Sequence, residues 1–150
     1  MAAEPLFIDS GGFYALVLPD SQSHERAVEI MQTAAQERRR AVTTDYFVDE
    51  TATLLRARGL AKLVAEFFRL TEESRALTIE WTSPNRFAAA RKFMLKHLDQ
   101  DFSFTKCVSF VVMKELRLFD ALATDEHFRI AGFNRCWPGE PPASPPQFCG

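Results

Sequence analysis

Short apolar runs, each too brief for a helix and each followed by a stripe at helical spacing, recur along this chain, and that alternation restricts its fold most. Leu6-Phe7-Ile8, Ala41-Val42-Thr43-Thr44, Leu77-Thr78-Ile79-Glu80-Trp81 and the segment Leu118 to Thr124 read as strands, with Phe133 to Trp137 as a final edge strand. Between them, helical spacing links Phe13 to Val17, Ala27 to Ala35, Phe47 to Leu55, Leu60 to Leu70, Phe87 to Leu98 and Phe104 to Leu116, and a short helix runs from Asp125 to Gly132. Strands separated by helices pair in parallel through right-handed crossovers, so a layered α/β domain with helices on both faces of the sheet is expected. A length of 150 residues with 47% hydrophobic content suits one core. The expected division is one domain over 1–137 and an irregular tail over 138–150, which holds five of the eight prolines.

Local signals place the helix ends. Ser23, Thr44 or Asp45, and Ser103 stand where caps are needed. Arg38-Arg39-Arg40 crowd the end of the second helix, where cations suit the negative pole of its dipole, and they read as a solvated helix end ahead of an RNA contact. A net charge of -2 marks no nucleic-acid binder by itself. No apolar run could span a bilayer and no signal peptide opens the sequence, so a cytoplasmic protein is expected. Cys107, Cys136 and Cys149 fit reduced thiols, because they are odd in number and lie in no metal-ligand spacing.

Asp9 and Asp125 share one context: each follows an apolar strand and precedes a helix. Parallel strands send both to the same sheet edge, where α/β proteins bind ligands. Glu50, in the first turns after the second strand, can reach that edge, whereas its neighbour Asp49 points elsewhere. The competing reading of Asp9 or Ser10 is a plain helix cap. Convergent carboxylates repel one another unless a cation holds them, and oxygen-only ligands suit Mg²⁺ or Mn²⁺ in metal-assisted phosphodiester hydrolysis.

The segments FIDSGGFYAL, TTDYFVDET, DFSFTKCVSF and ATDEHFRIAGF together resemble the four motifs of PIN domains, in particular VapC-type ribonuclease toxins. The resemblance runs from Leu6 to about Trp137 and keeps the motifs in order and spacing. It implies a three-layer α/β/α sandwich with a mostly parallel central sheet, endoribonuclease activity dependent on Mg²⁺ or Mn²⁺, RNA as substrate, a cognate antitoxin and a homodimer. Asp9, Glu50 and Asp125 match the acids of the first, second and fourth motifs, as catalytic residues and metal ligands. Ser10 matches the hydroxyl residue beside the first acid, and Asp101 and Thr124 are accessory candidates.

The third motif departs from the pattern, because Lys106 stands where the resemblance places an acid, while Asp101 lies five residues earlier in a loop. Exchanging a carboxylate for an ammonium changes the site by two charge units. Lys106 could lie among the acids in place of an ion, or swing to solvent on its flexible stem while a weaker ion binds. The chain is therefore either an attenuated metal-dependent endoribonuclease or a PIN-fold protein that binds RNA or an antitoxin without cutting. Arg56, Arg58, Lys62, Lys96 and Lys114 are candidate phosphate contacts for both, against a default of solvated helix faces. His24, His97 and His127 form no ligand set. Trp81 and Phe102 could stack on bases, although core packing is the default for aromatics in a chain with 14 phenylalanines.

Overall fold

The computed structural model describes residues 3–136. Its strands are β1 (Leu6–Ile8), β2 (Ala41–Thr44), β3 (Leu77–Glu80), β4 (Asp120–Leu122) and β5 (Asn134–Cys136). They form one sheet in the order β3-β2-β1-β4-β5, and every neighbouring pair is parallel. The helices are α1 (Ser10–Val17), α2 (His24–Gln36), α3 (Asp45–Ala57), α4 (Ala61–Glu73), α5 (Pro84–Lys96), α6 (Phe104–Leu116) and α7 (His127–Ile130).

Side chains alternate across a strand, and here the alternation builds two cores. Phe7, Val42 and Ala121 pack with Ala90, Phe110, Met113 and Phe128 on one face. Leu6, Ile8, Ala41 and Leu122 pack with Phe13, Ile30, Leu55 and Phe67 on the other. The expected α/β/α layering and parallel sheet are thus observed. Aromatic edges tie the first core together: Phe110 meets Phe128 at 5.2 Å between ring centres, and Phe7 meets Phe47 at 5.9 Å. Phe102 belongs to this core, while Trp81 remains exposed.

Several boundaries differ from the sequence reading for identifiable reasons. The fourth strand is only Asp120–Leu122, because Arg117 adopts a left-handed backbone (φ 56°) that ends α6. The Leu118 N–H then donates to the Met113 carbonyl at 2.8 Å, so Leu118 closes the helix and does not open the strand. The first helix begins at Ser10, since the carboxylate of Asp9 caps it. Ser103 caps α6 by accepting from the Lys106 N–H, and Thr44 caps α3 by accepting from Phe47. Asp45 instead accepts from the Thr82 N–H and hydroxyl. Ser23 precedes α2 without a side-chain cap bond.

Of the arginine triplet, Arg38 and Arg40 are solvent-exposed as expected, but Arg39 is not part of a solvated helix end. The second helix stops at Gln36, and Arg38 turns the chain with φ 59°. Arg39 then folds inward: its Nε donates to the Glu4 carbonyl and a terminal nitrogen donates to Asp120 at 2.8 Å. Cys107 is a buried free thiol. Cys136 is disulfide-bonded, a departure from the reduced state expected, and Cys149, Trp137 and the proline-rich 138–150 segment lie outside the described residues.

Candidate functional site

In this strand order the chain moves outward from β1 through β2 to β3, then crosses to the other side for β4 and β5. The direction of winding therefore reverses between β1 and β4, the place where open α/β sheets leave a crevice beyond their carboxyl ends. Ile8 is in register with Leu122, so Asp9 and the Thr124-Asp125 turn leave the sheet side by side at that crevice. Two residues of the first helix allow the close approach. A Cβ on Gly11 would fall 2.3 Å from the Thr124 side chain, and one on Gly12 would fall 2.5 Å from the Leu122 carbonyl. The Gly11-Gly12 pair is thus a packing requirement of the site.

Asp9 is both cap and site residue. Its Oδ1 accepts from the Gly12 N–H at 2.7 Å, and only 2% of the residue is exposed. Burial pushes its carboxyl up to about 7, opposed by the Gly12 and Thr124 N–H groups and reinforced by Glu50 and Asp125 nearby. Glu50 is exposed by surface area, yet its carboxyl still lies above its ordinary range, first through partial desolvation in the crevice. Lys106 pulls it back, and Asp125 and Asp49 push it up. These interactions bring Asp9, Glu50, Asp125 and Lys106 into one electrostatic cluster.

Asp125 behaves oppositely. Partial burial would raise its carboxyl, but the Lys106 ammonium, the His127 N–H and the His127 ring outweigh it and hold the pKa below the usual value. The ammonium of Lys106 is ion-paired with Oδ2. Oδ1 accepts from the His127 N–H at 2.9 Å, and the His127 Nδ1 lies 3.2 Å away but out of line for a hydrogen bond. His127 is therefore a neighbour of the acid, which its position two residues after Asp125 could have suggested.

Other candidates fall outside the cluster. Asp101 is exposed in the loop before α6 and enters none of the interactions of the acids. Thr124 is exposed, supplies the N–H that faces Asp9, and accepts from Arg135 through its carbonyl. Ser10 is half-buried at the start of α1. Lys114 lies over the Phe93 ring, and Arg56, Lys62 and Lys96 are exposed. A cavity of about 670 Å³ lies between α1 and α4, lined by Leu16, Val17, Leu63 and Leu70, away from the carboxylates.

As arranged, these side chains do not fit a divalent ion. Among the described residues no three His, Cys, Asp or Glu side chains gather closely enough to hold one. The lysine ammonium occupies Asp125, and one oxygen of Asp9 is committed to a backbone N–H. What the cluster offers is one carboxyl that titrates near neutrality beside a charge-balanced acid.

No protein-family model matches the chain, and no curated protein sequence matches it. Among solved structures, it is similar to VapC20 of Mycobacterium tuberculosis, a sarcin-ricin loop cleaving toxin, with a TM-score of 0.76 and 23% identity over 85% of this chain and 95% of that one. It is also similar to FitAcB from Neisseria gonorrhoeae, with a TM-score of 0.60 and 14% identity over 89% of this chain and 97% of that one. In fold, this chain is a PIN-like α/β/α domain with a parallel sheet, similar in structure to VapC20.

Proposed function

We propose that this chain is a toxin-type endoribonuclease whose metal-supported cleavage of RNA is attenuated by Lys106. The observation that supports this reading is the meeting of Asp9, Glu50 and Asp125 at the crevice between β1 and β4, in a fold shared with an RNA-cleaving toxin. Mg²⁺ or Mn²⁺ would supply an activated water and offset charge on the phosphate, with the three acids as ligands once the ammonium is displaced. The resemblance to VapC-type toxins adds a cognate antitoxin, a homodimer and a cytoplasmic setting. No described helix is long and apolar enough to cross a membrane.

The ion pair between Lys106 and Asp125 favours a second reading, a PIN-fold protein that binds RNA or an antitoxin without cutting. RNA cleavage with and without Mn²⁺, run for the parent beside Lys106→Asp, separates the two. An attenuated nuclease gives a gain of about tenfold or more in Mn²⁺-dependent cleavage on restoring the acid. If neither protein cuts a panel of structured RNAs, the nuclease reading fails.

A further inference from the structure

A second cavity, about 220 Å³, is lined by Ser10, Tyr14, Ser21, Leu54, Arg58 and Thr124, together with Gly11 and Ala15. It lies beside the cluster, because two of its lining residues adjoin the acids in the chain: Ser10 follows Asp9 and Thr124 precedes Asp125. Its far wall comes from Leu54 of α3 and from Arg58, the residue that ends that helix; Glu50, outside the lining, lies four residues before Leu54, so the three follow one side of the helix. Glu50 and Arg58 are separated by about 12 Å along the axis. The cavity therefore continues the crevice along the groove between α1 and α3, away from the carboxylates and towards a cation.

That cation is held ready for a ligand. Its guanidinium lies over the Tyr14 ring, 5.0 Å from the ring centre, and among the described residues Arg58 is paired with no carboxylate. Stacking on the ring restricts the side chain before any ligand arrives, so less rotamer entropy is lost on binding. The remaining lining is hydroxyl-rich. Ser21 Oγ accepts from the Ser23 N–H and keeps its own proton to donate, and Ser10 and Thr124 carry further hydroxyls. The volume lies below the roughly 300 Å³ at which pockets for drug-sized ligands begin, which suits one backbone phosphate with its ribose.

We infer that this cavity is a subsite for the RNA backbone flanking the acidic crevice, with Arg58 holding a phosphate and Ser10 and Ser21 facing the adjoining ribose. The inference rests on the reading of RNA as the ligand. Acids alone repel a polyanion, and a fixed guanidinium two helical turns away anchors the strand that the carboxylates would otherwise push off.

The test is binding of a short fluorescein-labelled single-stranded RNA of mixed sequence, followed by anisotropy in EDTA across a salt series. Arg58→Gln is expected to weaken binding about tenfold and to lower the slope of log affinity against log salt by about 0.7, the share of one single-strand phosphate. Arg58→Lys, which keeps the charge but loses the fork, should fall between. Lys92→Gln, an equal charge change on the exposed side of α5, should leave the slope unchanged. If the parent binds RNA and Arg58→Gln matches it, or Lys92→Gln falls as far, the subsite is overturned and the reading of RNA as ligand stands. A parent that binds no RNA at any salt overturns both.

Discussion

The Lys106 ammonium is ion-paired with Oδ2 of Asp125, while Oδ1 of the same carboxylate takes the His127 N–H, so both oxygens of the fourth-motif acid are engaged within the chain. An ammonium at that position satisfies the acid as a divalent ion would, but it fills the place the ion would need. The parent should therefore show no tight, stoichiometric Mg²⁺ or Mn²⁺ site by calorimetry. Lys106→Asp should gain one, with affinity higher by about tenfold or more, and Mn²⁺ should raise its Tm more than the parent's. A tight site in the parent would sink this account.

Asp9 makes stability depend on pH in a direction opposite to most paired carboxylates. Its folded-state pKa is about 7 against an ordinary value of 3.8, so the folded chain holds the proton more firmly than the unfolded one. Stability contributed by this group is thus full below about pH 4 and falls as pH rises through 7. The shift corresponds to a penalty of about 4 kcal/mol at full ionisation. Asp9→Asn keeps a capping oxygen and removes the charge, so it should raise Tm by several degrees at pH 8.5 and by less than half as much at pH 5. Equal effects at both pH values would show that Asp9 does not titrate in this range.

The sheet was legible because its signal is local: Leu6 to Ile8 and Ala41 to Thr44 are apolar or β-branched runs that only a strand accommodates. The meeting of Asp9 and Asp125 followed from parallel pairing alone. What sequence could not give was partnership across the fold. Asp120 lies inside an apolar strand, and nothing local named its partner Arg39, which lies 81 residues earlier. Lys106 was legible as an anomaly, yet its choice of Asp125 among three acids depends on three-dimensional geometry. Arg58 looked like an ordinary surface cation because its ring partner, Tyr14, sits on a different helix.

Gly11 is the point at which the first helix and the Asp125 turn touch. Alanine there would gain up to about 1 kcal/mol in helix propensity. It would also place a methyl 2.3 Å from the Thr124 Oγ1 and Cγ2 and 2.8 Å from its Cβ, and rotating the side chain cannot relieve the Cβ contact. The turn must move, at a cost of about 1–3 kcal/mol. Gly11→Ala should therefore lower Tm, and adding Thr124→Gly should restore most of the loss. If Gly11→Ala alone is stabilising, the two segments do not pack as described.

Arg39 and Asp120 form the buried ion pair at the opposite end of the sheet, with 8% and 0% of their side chains exposed. Asn134 donates to the second oxygen of Asp120, and the Arg39 Nε reaches the Glu4 carbonyl, so the pair joins the N-terminal segment, the loop after α2 and the last two strands. Surface pairs such as Arg69–Glu66, both more than half exposed, contribute no more than about 1 kcal/mol. Removing one partner of a buried pair leaves an uncompensated charge and costs about 3–5 kcal/mol. Arg39→Met should thus destabilise the chain by several kcal/mol in urea unfolding, whereas Arg69→Met should change little. Adding Asp120→Asn to Arg39→Met removes the stranded charge and should recover a large part of the loss. Should the double variant prove as unstable as the sum of its single variants, the two side chains act independently and the clasp is not what joins these segments.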